Sequence, residues 1–384
     1  MKIAGDWLTA GHVQKVLAML SGGGHQALLV GGCVRNAALV QPVADIDIAT
    51  DAPPERVMAL AKNAGLKPVP TGIDHGTVTV VADHIGHEVT TFRRDVETFG
   101  RHATVAFSTD IHDDAARRDF TMNALYATAD GTVLDPLGTG LADLAARRLR
   151  FVGDPAQRIT EDYLRILRFF RFTAWYGDPD QGMDAEGLAA CAAFSAGIET
   201  LSRERVGHEM RKLLSAPDPA PAVAAMQASG VLAQVLPGAE TRFLAPLVHL
   251  EGSVPPDPLR RLACLGGEDP AERLRLSKTE ARRLERLRAA LGDPGSDAEL
   301  GYRYGAETGR DALLIRAAAL GQEISDFSRN RVAFGAAQRF PVSASDLMPA
   351  CQGAALGAKL KALETRWIAS GFSLSREALL HGNG

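Results

Sequence analysis

The sequence predicts an α+β protein in which a region of strands and helices comes first and helices alone follow. Three observations carry this. Residues 28–50, LLVGGCVRNAALVQPVADIDIAT, read as a strand, a glycine turn, a short helix and a second strand. Residues 77–81 alternate and are rich in β-branched side chains, and 88–92 supply a partner strand, with a turn between them at Asp83–His87. From Arg147 onward the apolar residues recur at helical spacing.

Taken in order, Asp6–Leu20 reads as one helix with Thr9 as a possible cap and Val13, Val16, Leu17 and Leu20 as its apolar side. In the strand–turn–strand unit, Gly31-Gly32 removes two side chains where the backbone turns and approaches something closely. In the strand Asp45-Ile46-Asp47-Ile48 the isoleucines point one way and the carboxylates the other. Isoleucines suit a core, but adjacent carboxylates repel. A hard cation such as Mg²⁺, which takes oxygen ligands from one or two carboxylates and from substrate phosphates, resolves that repulsion. The glycine turn would offer backbone N–H groups to the phosphates, and Arg35 a fixed positive charge. Two solvated carboxylates and an ordinary turn are the bland alternative. Gly31-Gly32-Cys33-Val34-Arg35-Asn36 lacks the third glycine of the dinucleotide fingerprint.

Pro53-Pro54 opens a helix that Gly65 ends. Glu88 is either a third carboxylate beside the metal pair or an ordinary edge-strand residue. Arg93–Asp114, with Arg93, Arg94 and Arg101, reads as a mobile loop. In Arg117-Arg118-Asp119-Phe120-Thr121-Met122-Asn123 a helix would put Asp119 and Asn123 on one face. Pro155 starts a helix, and Arg158–Trp175 continues it, with Asp162, Arg165, Arg168 and Arg171 recurring every three residues. An ion-paired helix explains Glu161 and Arg165, but less well three arginines in an otherwise apolar segment. Ser202 with Arg205 reads as a helix start. Arg273–Arg288 is the most basic helix, either a solvated face or a contact for an RNA backbone.

Bulk composition sets wider bounds. At 384 residues the chain is long enough for two or three domains. There are 42 Lys and Arg against 46 Asp and Glu, which excludes a nucleic-acid binder that works by overall charge. The four cysteines are far apart, with no C-x-x-C, so they suggest neither a disulfide framework nor a zinc site. No run is long enough to cross a membrane, and the N-terminal stretch lacks the apolar core of a signal peptide. A cytoplasmic protein is expected.

The strings GGCVRN…DIDIAT, GIDHGTVTVV, RRDFTMNA and Glu161-Asp162…Arg165…Arg168 resemble the signatures of the class II nucleotidyltransferases, the family of CCA-adding tRNA nucleotidyltransferases and bacterial poly(A) polymerases. The family usually has Asp where this chain has Asn36. The resemblance covers roughly residues 25–215. It implies a catalytic head with a mixed sheet at 1–145, a helical neck that reads the base at 146–216, and a helical body and tail that bind tRNA at 217–384. It implies Asp45 and Asp47 as catalytic Mg²⁺ ligands, and Gly32, Arg35, Arg118, Asp162, Arg165, Arg168 and Arg171 as nucleotide-binding residues. The implied reaction is template-independent addition of C and A, CCA or part of it, from CTP and ATP. Poly(A) addition and a non-catalytic RNA-binding role are the alternatives, and the strand GIDHGTVTVV favours tRNA over poly(A).

Chemistry supports the base-reading pair. Cytosine and adenine each show a ring-nitrogen acceptor beside an amino donor. Arg165 can donate to the first and Asp162 can accept from the second; guanine and uracil present the reverse.

Overall fold

The computed structural model describes residues 1–99, 102–348 and 350–381. The chain forms two compact units, Met1–Pro237 and Gly238–Gly384.

The first unit is built on a seven-stranded sheet. Its strands are β1 (Leu28–Val30), β2 (Asp47–Thr50), β3 (Lys67–Gly72), β4 (Thr77–Ala82), β5 (Ile85–Thr91), β8 (Tyr126–Ala127) and β9 (Val133–Leu134). The spatial order is β3-β4-β5-β2-β1-β8-β9. The β2–β5 pair is parallel and every other pair is antiparallel, so the sheet is mixed as expected. Val78, Val80, Val89 and Ile48 are buried in the core. The helices Gly11–Gly22 and Pro54–Asn63 pack on this sheet. Glu88, one residue before Val89, therefore points to the opposite face. The β4–β5 turn is tight because Asp83 and His84 both adopt positive φ, 49° and 66°, a conformation Asp and His tolerate better than most residues.

Several sequence expectations need correction. The first helix is two, Asp6–Thr9 and Gly11–Gly22, broken at Ala10, whose ψ of 134° is extended; Thr9 ends the first rather than capping it. The expected mobile loop at 93–114 contains the hairpin β6 (Arg93–Phe99) and β7 (His102–Phe107) and then the helix Ile111–Ala116. Arg101 lies outside the described residues. Asp119 is not helical. Phe120 bridges Phe151 as an isolated β-pair, and a 3₁₀ turn at Thr121–Asn123 follows.

The single helix expected at Arg158–Trp175 is also two, Pro155–Glu161 and Leu164–Tyr176. The break falls at Asp162, which is extended and accepts a hydrogen bond from Leu164 N at 3.1 Å. A short acidic side chain that satisfies a nearby backbone N–H competes with the helix in this way. Phe120, Phe151, Phe169 and Phe172 then pack together, Phe151 and Phe169 stacked and Phe120 tilted against the other three, with ring centroids 5.0 to 6.4 Å apart. This aromatic core fixes the arginine-bearing helix Leu164–Tyr176 against the Arg118–Asp119 segment.

The second unit is helical, with long helices at Lys278–Gly292, Asp297–Leu320, Asp326–Ala337 and Gly353–Ala369. The basic helix expected from Arg273 starts at Lys278 instead, where Ser277 and Glu280 form a capping box. Gly335 allows two helices to touch: a Cβ there would lie 1.7 Å from Ala298 O. A buried ion cluster sits at its centre. Arg260 and Arg261 both bond Glu251 at 2.7 Å, Arg260 also reaches Asp311 at 3.1 Å, and each of the four residues is at most 3% exposed.

Candidate active site

A cavity of about 440 Å³ opens in the first unit where the glycine turn, β2, the Arg118–Asn123 segment and the arginine helix meet. Gly31 turns the chain with φ 71° and ψ −119°, a conformation that side chains disfavour. A Cβ there would also stand 3.3 Å from Arg118 Nη1. Glycine thus lets a cation approach the backbone where the helix Gly32–Ala38 begins.

Asp45 and Asp47 both line the cavity. β2 starts at Asp47, so Asp45 lies on the preceding loop rather than in the strand. Asp47 stands beside Glu88 in the parallel register. Burial, then the charges of Glu88 and Asp45, push the Asp47 carboxyl above its ordinary value, against the opposing pull of Arg118. Oxygen donors crowded in this way suit a hard divalent cation. Elsewhere, Asp257, Glu307 and Asp311 bring their oxygens within 4.8 Å of one another. Arg283 is bonded to all three, at 2.6, 2.9 and 3.2 Å, so that group is an ion cluster already neutralised by protein.

The opposite wall is cationic. Arg35 is 6% exposed, and its hydrogen-bond partners are Asn36, Asn123 and the Tyr176 hydroxyl, all neutral. Its guanidinium lies over the Tyr176 and Phe172 rings, 4.0 and 5.0 Å from their centroids. Burial lowers its pKa from the usual arginine value, against the opposing pull of Tyr176 and of the Asp119 charge. Arg118 is held by Asp114 at 2.9 Å and the Tyr126 hydroxyl at 3.1 Å, and Tyr126 in turn donates to Asp114 at 2.7 Å.

Arg168 and Arg171 sit over Phe172 and also line the cavity. Arg168 pairs with Asp119 at 2.6 Å, and Arg171 with buried Glu209 at 2.5 Å. Burial alone would raise the Asp119 carboxyl. Arg168, Asn123 and the Phe120 N–H outweigh it and hold the group below the usual carboxylate range. Glu209 lies on the helix Arg203–Leu214, which Ser202 caps as expected, and Lys212 on the same helix adds a further cation.

The structure gathers Gly32, Arg35, Asp45, Asp47, Arg118, Arg168 and Arg171 around this cavity. It does not bring Asp162 and Arg165 into it. Asp162 faces a neighbouring cleft of about 670 Å³ and pairs with Arg205 at 2.6 Å. Arg165 bonds Glu161 and the Arg158 carbonyl, the latter at 2.6 Å. Arg165 N still donates to the Asp162 carbonyl at 3.0 Å, so the two remain a turn apart while their side chains pair with different partners. Sequence reasoning missed Phe172, Tyr176, Glu209 and Lys212. A signal for Phe172 and Tyr176 was present, since they follow Arg168 at helical spacings of four and eight.

The carboxylates thus come from the loop before β2, from the start of β2 and from the adjoining β5, set against a glycine turn and a cationic wall. Residues 27–150 match the Poly A polymerase head domain, and 182–242 match the family described as the probable RNA and SrmB-binding site of polymerase A. These two stretches are thus similar to the head and the RNA-binding region of polymerase A-type proteins. It is 42% identical over 192 residues to mouse "CCA tRNA nucleotidyltransferase 1, mitochondrial", covering 50% of this chain and 44% of that one. It is 39% identical over 220 residues to the CCA-adding enzyme of Anoxybacillus flavithermus, covering 57% and 53%. The chain thus matches about half the length of these curated relatives. The solved CCA-adding enzyme of Bacillus stearothermophilus in complex with CTP superposes with a TM-score of 0.74 at 26% identity, covering 94% of each chain.

Proposed function

We propose that this chain adds C and A nucleotides, CCA or part of it, to tRNA 3′ ends from CTP and ATP without a template. One observation carries the reading: Arg35 is a buried cation whose hydrogen-bond partners among the described residues are all neutral, in a cavity whose other wall holds crowded carboxylates. A buried charge without a counter-charge is costly, and a bound triphosphate supplies the missing anion. Arg118, Arg168, Arg171 and the backbone at Gly32 would share the phosphates. Asp45 and Asp47 would hold Mg²⁺, with Glu88 alongside as a candidate third ligand. When bound, Mg²⁺ would assist deprotonation of the primer hydroxyl and stabilise the leaving pyrophosphate.

Base choice falls to Asp162 and Arg165, by the complementarity of acceptor and donor to C and A. In the free protein Arg205 and Glu161 occupy them, so an incoming base exchanges these partners for its own. Residues 1–145 serve as the catalytic head, 146–216 as the neck that reads the base, and 217–384 as the tRNA-binding body and tail. A reducing cytoplasm suits the four free thiols at Cys33, Cys191, Cys264 and Cys351.

The test is incubation with tRNA lacking its 3′ CCA and with CTP and ATP, singly and together. Addition of C from CTP, completed by A when both are present, is the expected product. Long A tracts from ATP alone on any RNA would make the chain a poly(A) polymerase. No extension under any condition would leave it a binding protein.

A further inference from the structure

We infer that Asp114 and Tyr126 are positioning residues that occupy one donor edge of Arg118 and turn its other edge, at Nη1, toward the glycine turn for a phosphate. The inference rests on the reading of this cavity as a nucleotide site. A guanidinium has two edges that can each meet a phosphate through a pair of N–H groups, one at Nε and Nη2 and one at Nη1 and Nη2. In Arg118 the first edge is taken by protein. Nε donates to the Tyr126 hydroxyl at 3.1 Å and Nη2 to Asp114 Oδ2 at 2.9 Å. An arginine only donates, so the Tyr126 oxygen must accept and its single hydrogen must go elsewhere. It goes to the same Oδ2, at 2.7 Å. The three groups thus close a triangle in which each donor and acceptor role is fixed.

The triangle is buried and braced. Asp114 is 3% exposed and Tyr126 0%. Asp114 lies on the helix Ile111–Ala116, and its Oδ1 accepts from Arg93 N at 3.4 Å, where β6 begins. Tyr126 lies on β8, with its ring edge-on to Phe92 at 6.4 Å. A helix and a strand therefore hold the first edge from two sides. Among the described residues Nη1 has no hydrogen-bond partner, and it lies where a Cβ on Gly31 would stand 3.3 Å away. With Asp114 beside it, Arg118 offers a phosphate directed N–H groups more than an unmatched charge.

Tyr126→Phe keeps the ring and removes only the hydroxyl; Asp114→Ala removes the anchor of both bonds. Each is made in the unsubstituted chain and in Arg118→Met, and kcat/KM for CTP is read from tRNA extension. In the unsubstituted chain Tyr126→Phe is expected to lower kcat/KM about tenfold and Asp114→Ala about a hundredfold, mostly through KM. In Arg118→Met neither is expected to lower it further, because the effects of residues that act through one another do not add. A role confined to packing β8 and the helix predicts the same fold loss in both backgrounds, and that result overturns the inference. A lower KM for CTP in Asp114→Ala overturns it too, since Asp114 would then restrain the Arg118 charge rather than aim it. So does an unchanged kcat/KM in Tyr126→Phe. If the unsubstituted chain neither binds CTP nor extends tRNA, the cavity reading itself has failed. If it extends tRNA and Arg118→Met does so equally well, only this inference falls.

Discussion

Each unit of this molecule gathers arginines around carboxylates, and the two gatherings differ in how their charges are matched. In the second unit Arg260, Arg261 and Arg283 are bonded to Glu251, Asp257 and Asp311, with few open positions left. In the first unit the Asp45, Asp47 and Glu88 side of the cavity is crowded with negative charge, while the hydrogen-bond partners of Arg35 among the described residues are neutral. A matched cluster is part of folding. An unmatched one stores an affinity for something that is not protein. The same residue types serve both purposes, so composition cannot tell them apart.

The largest expected effect is on catalysis. Asp45→Ala and Asp47→Ala should each reduce nucleotide addition to background while far-UV circular dichroism stays unchanged; near-wild-type turnover in Mg²⁺ would remove these carboxylates from the chemistry. On the matched side, Glu251→Gln leaves two buried arginines short of their shared counter-charge. Breaking a buried pair costs about 3–5 kcal/mol, which denaturant unfolding would register. A variant as stable as the parent would show that the cluster contributes nothing net.

Base choice comes next. Asp162→Ala should cut incorporation of both CTP and ATP, and Arg165→Ala should relax discrimination. Each lost charge-assisted bond is worth roughly 1.5–3 kcal/mol, or about ten- to a hundredfold. The ratios of kcat/KM for CTP against UTP and for ATP against GTP decide it. Unchanged ratios with lowered stability would reduce both residues to the ion pairs they make with Arg205 and Glu161. Their pairs are too exposed on the Asp162 side to matter much for folding, since surface ion pairs contribute about 0–1 kcal/mol.

The helix Lys278–Gly292 sharpens the comparison further, because it carries both kinds of cation. Arg283 is matched, by Asp257, Glu307 and Asp311, while Lys278, Arg282 and Arg286 are exposed. Changing those three to Glu should weaken tRNA binding and flatten its salt dependence, by about 0.7–0.9 in log–log slope for each phosphate no longer neutralised. An unchanged slope would make this helix a solvated face.

The smallest effect concerns pH. Asp119 and Asp257 are held below the usual carboxylate range, against the upward push of burial, by Arg168 and by the Arg260 N–H and Arg283 respectively. Their stabilisation is complete above the unfolded value of about 4 and is lost as pH falls through the lower folded values. Asp47 is shifted the other way, so its cost is full above its raised folded value and absent below the unfolded one. Without divalent metal, Asp47→Asn should therefore raise the melting temperature at pH 7 and not below the carboxylate range. A drop at pH 7 would contradict the crowding argument.

Much of the head was legible in the sequence. The strand–glycine–helix–strand unit, the β4–β5 hairpin and the helix cap at Ser202 follow from turn chemistry and alternation within a few residues. What failed was continuity. Pattern reading ran helices through Ala10, Asp162 and residues 274–277, where a side chain or a single dihedral stops them. The consequence at Asp162 is functional, because a residue expected to share the arginine cavity instead faces the cleft with Arg205. The roles of Glu209 and Tyr176 depend on packing between distant segments, through Arg171 and Arg35, and no local spacing records that.

The contrast between matched and unmatched arginines can be tested in one paired measurement: CTP affinity by calorimetry and stability by denaturant unfolding, for Arg35→Met and Arg260→Met. The account predicts a crossed result. Arg35→Met should weaken CTP binding about ten- to a hundredfold with little loss of stability, and Arg260→Met should lose about 3–5 kcal/mol of stability in the second unit with CTP affinity unchanged. If Arg35→Met binds CTP normally and unfolds as easily as Arg260→Met, the cavity arginine is structural and the account is wrong.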